Sequence, residues 1–188
     1  MIIGEALREL FKDLTVSYEY ENQNVTEDVQ FHHGSQIELN RWINFQNENG
    51  YDKYPLIWYV RDKYTESNGV KEVYARLILF MKTEPFWLND TRTYETYTKV
   101  LDPLFEQVKN VLLSNPNVTV LGNLNKKFDI LDEPNYGVGL DIYKKNSGSD
   151  FNSTTRKGEQ SITIEPLDAK IVDFHIRINT NCIIKNNC

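Results

Sequence analysis

A proline in the middle of a helical stripe constrains this chain more than any other feature. From Trp87 to Leu113 the sequence reads WLNDTRTYETYTKVLDPLFEQVKNVLL. Tyr94, Tyr97, Val100, Leu101, Leu104, Phe105, Val108, Val111 and Leu112 recur at helical spacing on both sides of Pro103. An α-helix does not pass through proline unchanged, because the ring removes one amide donor and presses on the carbonyl four residues back. The pattern therefore predicts two helices sharing one apolar stripe. The first is capped by Asp90 and ends near Leu101; the second is capped by Asp102, with Pro103 at its first position. A bent pair follows a twisted sheet, which a straight rod of that length does not.

The rest of the chain supplies such a sheet. Ile2, Ile3, Ala6, Leu7, Leu10, Phe11 and Leu14 lie on one face of a first amphipathic helix. Val16 to Tyr20 has strand composition, and ENQNVTEDVQ after it reads as a polar loop. Ser35 stands three residues before Glu38, the spacing of a capping box. It starts a second helix, with Ile37, Leu39, Trp42 and Ile43 as its apolar face and Asn49-Gly50 as its stop. YPLIWYV and EVYARLILFMKT then predict two strands joined through the SNG turn. In the second strand Val73, Ala75, Leu77, Leu79 and Met81 alternate with Tyr74, Arg76, Ile78 and Phe80. Further strands are expected at Val118 to Leu121, Phe128 to Leu131, Val138 to Tyr143, Ser161 to Glu165 and Ile171 to Ile178.

This order predicts a single α+β domain over residues 1–188, a mostly antiparallel sheet with amphipathic helices packed on it. Residues 144–160, KKNSGSDFNSTTRKGEQ, read as an extended hairpin loop, and residues 179–188 as a mobile or partner-bound tail.

Charge narrows the function. With 21 basic and 27 acidic residues the net charge is -6, the wrong sign for a protein that grips nucleic acid by its phosphates. The aromatics beside basic residues in WYVRDKY and KKFDI are accounted for by the core. The N-terminus lacks the basic and apolar regions of a signal peptide, and no apolar stretch approaches membrane-spanning length, so cytoplasmic synthesis is expected. Cys182 and Cys188 read as free thiols. The glycosylation sequons at Asn24, Asn89, Asn117 and Asn152 follow from an Asn- and Thr-rich composition.

Catalytic signatures are missing. His32 and His33 are adjacent, so in an extended segment they point opposite ways, and His175 is distant in sequence. GVGLD at Gly137 lacks the third glycine of a dinucleotide loop, and the sequence contains no GxSxG, HExxH or GxxxxGK[ST]. No catalytic, cofactor-binding or metal-binding residues are expected, and the chain does not read as an enzyme.

The order of elements resembles a known family. An N-terminal amphipathic helix, the strand PLIWYV, the paired strand ARLILFMKT and then RTYETYTKVLDPLFEQV are similar to the tail-terminator or tail-completion proteins of tailed bacteriophages, including neck ring proteins. The likeness covers roughly residues 1–145. It implies a structural virion subunit, made in the host cytoplasm, that forms a six- or twelve-fold ring between portal or connector and tail. The portal or connector, the tail tube and other neck rings would be its partners, and DNA would pass through without specific binding. In such a ring the 144–160 loop reaches a neighbour, with Phe151, Arg156 and Lys157 as contact candidates. Asp129, Asp132, Glu133 and Asp150 are the candidates to face the lumen. The inserted second helix and the long segment after residue 145 depart from compact members. The competing readings are a non-viral binding or adaptor module, or a small enzyme without a recognisable motif.

Overall fold

The computed structural model describes residues 3–20, 23–49, 53–60, 63–84, 86–122, 127–136 and 166–185. In chain order these form α1 (Ile3–Phe11), β1 (Thr15–Tyr20), β2 (Gln23–Asp28), β3 (Gln30–Gly34), α2 (Gln36–Asn49), β4 (Leu56–Val60), β5 (Tyr64–Ser67) and β6 (Val70–Lys82). There follow α3 (Asn89–Arg92), a π-helical segment (Thr93–Leu101), α4 (Asp102–Ser114), β7 (Val118–Leu121), β8 (Phe128–Glu133), β9 (Leu167–Asn179) and α5 (Thr180–Lys185). The expected strands Val138 to Tyr143 and Ser161 to Glu165, and the 144–160 loop, lie outside the described residues.

The expected α+β class holds. Among the described residues β3, β4, β6, β9 and β7 follow one another in a seven-stranded sheet, with β5 also on β6 and β8 also on β9. Every pairing is antiparallel except β3 with β4. The long β6–β9 ladder, from Val70 opposite Asn179 to Lys82 opposite Leu167, is its spine.

Strand alternation gives the sheet two apolar faces. Ile57, Tyr59, Leu77, Leu79, Val172 and Ile176 point to one face, where α1, the π segment and α4 cover them with Leu7, Phe11, Val100 and Leu104. Leu56, Trp58, Ile78, Phe80 and Ala169 point to the other, under Leu39 and Ile43 of α2. The capping box of α2 is formed: Ser35 N–H donates to Glu38 Oε2 at 2.6 Å, and Glu38 N–H to Ser35 Oγ at 3.3 Å.

Pro103 does not break the helix. Leu101 and Asp102 keep helical dihedrals, and Asp102 N–H donates to Tyr97 O, five residues back. Widening the preceding turns to π winding moves the carbonyls away from the proline ring, and the chain continues into α4. Asp102 is therefore not a cap; its carboxylate pairs with Lys170 at 2.9 Å. Asp90 is not one either, since the cap position is Leu88, which has no capping side chain. The altered winding leaves Tyr94 exposed and turns Thr96 inward.

Two polar segments differ from expectation. ENQNVTEDVQ contains β2, paired with β1 in a two-stranded ribbon along which Ser17 and Thr26 hydroxyls meet at 2.8 Å. The tail starts as α5: Asn179 Oδ1 accepts from Cys182 N–H, and Cys182 and Ile183 are buried. Cys182 is in a disulfide, against the expectation of free thiols.

Candidate functional site

Among the described residues, the face of the sheet beneath α2 is covered for only half its length. Along β6, Phe80 and Ile78 lie under the helix, whereas the next same-face residues, Arg76, Tyr74 and Glu72, do not belong to that core. On β9 the change comes between Ile171 and Asp173, followed by His175 and Arg177. The ladder register sets Arg76 opposite Asp173, Tyr74 opposite His175 and Glu72 opposite Arg177. Opposite charges therefore face one another on the outer two rungs and two aromatic rings on the middle one.

Each rung is closed. Arg76 grips Asp173 with two parallel hydrogen bonds of 2.7 Å. Arg177 Nε donates to Glu72 Oε2 at 2.6 Å, and His175 Nε2 lies 2.9 Å from Glu72 Oε1. The Arg177 hydrogen bond holds the Glu72 carboxyl below the usual carboxylate range, with burial working against it and His175 adding further help. Tyr74 stacks on His175 with ring centroids 4.0 Å apart and remains 70% exposed. With Val60, Leu121 and Lys127 these strands border an open groove of about 640 Å³. The groove offers a flat aromatic plate, apolar flanks and rigid charged groups, the makings of a protein contact.

A second polar cluster lies on the opposite face, with its arginine and aspartate buried. Arg92 Nη1 donates to Asp168 Oδ1 at 2.8 Å and to Asn135 Oδ1 at 2.5 Å, while Asn135 N–H also reaches Asp168 Oδ1. Beside it Lys170 bridges Asp102 and Asp132, at 2.9 and 2.5 Å. Burial works against the Lys170 ammonium, but the hydrogen bonds to Asp132 and Asp102 outweigh it and raise the pKa. Burial, reinforced by Asp168, pushes the Tyr97 phenol up, so it stays protonated and donates to Ala169 O. The cluster fastens α3, the π segment and α4 to β9. It brings no nucleophile beside a base.

The sequence candidates divide accordingly. Asp129 and Glu133 pair with Asp173 and Ala169 and so face the α2 side, whereas Asp132 pairs with Lys170 and faces the helices. Strand alternation thus separates three of the acids, and Asp132 is offset by a lysine. Asp150, Phe151, Arg156 and Lys157 lie outside the described residues. His32 and His33 do point opposite ways: His32 packs on Trp42 at 4.4 Å, and His33 Nε2 lies 2.9 Å from Glu5 Oε1. No group of three potential metal ligands occurs among the described residues.

Sequence reasoning missed two features. The polar rungs of β6 and β9 were signalled by charged and aromatic residues at every second position, but their pairing needed the register. The second is Phe86 and Leu88, 92% and 78% exposed just before α3, where PFWL was an apolar run without helical or strand period. No family model and no characterised protein matches the chain.

Proposed function

We propose that this chain is a structural subunit of the neck of a tailed bacteriophage, a tail-terminator or head–tail joining protein that forms a ring between portal or connector and tail. One observation carries the reading. The segments on which the resemblance rests, α1, β4, β6 and the helix through Pro103, pack as one body, with α1, the π segment and α4 on one face of an antiparallel sheet. The opposite face, half uncovered among the described residues, supports it, since a ring subunit needs a rigid surface for its neighbours.

The subunit's work in this reading is assembly and passage of DNA. A net charge of -6, repeated around a ring, repels a duplex over roughly the 10 Å Debye length at moderate salt and keeps it from sticking to the wall. Of the acids singled out in the sequence, Asp129 lines the groove on the face left for neighbours and Asp132 is offset by Lys170, so Glu133 is the candidate for lumen charge among the described residues. Light scattering of the purified chain, alone and with portal and adjacent neck proteins, is the test. A discrete ring or a stable joint complex is expected. A chain that stays monomeric with every virion component refutes the reading.

A further inference from the structure

We propose that the buried Arg92–Asp168 cluster is a binding site for ordered internal water, held by Asp168 Oδ2, Arg92 Nε and the hydroxyls of Thr83 and Thr96. The inference is independent of the neck reading.

Four side chains in this region each keep a buried polar atom that has no hydrogen-bond partner among the described residues: Thr83 Oγ1, Arg92 Nε, Thr96 Oγ1 and Asp168 Oδ2. None of the four residues is more than 3% exposed. Folded proteins rarely leave such atoms unmet, because each has given up its bonds to bulk water. Asp168 shows the imbalance within one carboxylate. Its Oδ1 accepts from Arg92 Nη1 at 2.8 Å and from Asn135 N–H at 3.0 Å, while Oδ2 is among the four orphans.

Topology gathers these side chains. Asp168 lies opposite Met81 in the β6–β9 ladder, and Thr83 N–H donates to Pro166 O at 3.1 Å, which carries the pairing one step past Lys82. Thr83 stands two residues after Met81, so its side chain shares the face of Asp168 and sits diagonal to it. On the helical side Thr96 is one turn beyond Arg92, whose guanidinium already meets Asp168, and both residues are buried. The sheet contributes a carboxylate oxygen and a hydroxyl; the helix contributes an N–H and a hydroxyl.

This donor set selects its guest. An anion is repelled by the free carboxylate oxygen and a cation by the guanidinium, and the pair is already neutral in sum. An apolar group leaves every orphan unmet. The guest is therefore small, neutral, and able both to donate and to accept. Water meets each condition: it donates to Asp168 Oδ2, accepts from Arg92 Nε–H, and bonds to threonine hydroxyls that rotate to give or take a proton. Internal waters typically make about three such bonds. So placed, water joins the end of β6 to β9 and to the helix, and adds a third element to the attachment that Arg92 makes.

Oxygen-17 relaxation dispersion detects long-lived internal water, and water–amide cross-relaxation in NMR locates it. Wild type should show a long-lived water with cross-peaks to the amides of Thr83, Thr96 or Asp168. Thr83→Val/Thr96→Val keeps the branched shape without the hydroxyls, and should shorten the residence time of that water at least tenfold. Thr83→Ser/Thr96→Ser restores the hydroxyls and should restore the signal. Should the valine variant fail to fold, the wild-type and serine proteins decide alone. Wild type without a long-lived water at these amides, or a folded valine variant that retains it unchanged, overturns the proposal. A melting temperature raised by potassium chloride but not by choline chloride would make the guest a cation, and overturns it too.

Discussion

Two arginine–aspartate pairs sit on opposite faces of β9 at nearly the same distance, one buried and joined by a single hydrogen bond, the other half exposed and bidentate. Arg92 meets Asp168 at 2.8 Å with both side chains at most 4% exposed. Arg76 meets Asp173 at 2.7 Å with 53% and 42% exposed. The first pair is surrounded by Asn135, Trp87 O and the helices, so neither charge has bulk water to fall back on. The second is half solvated and ready to contact another molecule. Distance alone ranks them as equals; desolvation makes the first a structural lock and the second a surface feature.

The largest expected effect breaks the buried pair. Arg92→Ala leaves Asp168 charged and fully buried, and should cost about 3–5 kcal/mol in chemical denaturation. The double variant Arg92→Leu/Asp168→Leu removes both charges and should recover most of that loss. Equal losses in the single and double variants would show that packing around Arg92, rather than its charge, holds the helix to β9.

The adjacent histidines repeat the contrast between faces. His33 lies against α1, and a Cβ at Gly4 would come within 2.4 Å of its ring, so glycine is required there by close approach. Gly4→Ala should destabilise by about 1–3 kcal/mol through overpacking. In the background of His33→Ala the same change should cost clearly less, because the clashing ring is gone; simple additivity would refute the crowding.

How much of this was legible in the sequence follows the same division. The sealed face could be read almost completely, because burial on both sides of β4 and β6 leaves apolar periods in LIWYV and VYARLILFMK that no other arrangement explains. In the ribbon, β1 was legible from VSYEY, but β2 was not, since QNVTED is mostly exposed and carries no apolar alternation. Pro103 was read as a break because proline rules count α-helical hydrogen bonds; π winding offered the chain a third choice. For the open groove, Tyr74, Arg76 and His175 were visible as residue types, but that they face one another depends on a register linking positions about a hundred residues apart.

His32, on the α2 side, gives a smaller effect that appears only with pH. Burial between Trp42 and Trp58, followed by the nearby charges of Arg8 and His33, lowers its pKa. The unfolded chain then takes up the proton first as pH falls through about 6.5, so stability declines below that value and levels off once the folded pKa is passed. Above about 6.5 His32 contributes no slope. His32→Phe should flatten the curve of stability against pH in that window, compared in a His33→Asn background so that the coupled neighbour is the same in both proteins. An unchanged slope would show that His32 is solvated despite its aromatic neighbours.

The smallest effect is the most pointed, because Arg76→Ala repeats the first experiment on the other face. Asp173, left without its partner, keeps contact with water, and the pair was never fully desolvated, so the loss should stay below about 1 kcal/mol and shrink further in salt. A wild-type-like thermal melt is the expected result. A stability loss as large as that of Arg92→Ala would instead mean that the open half of the sheet is covered within the same molecule, and the contrast between the two faces would disappear.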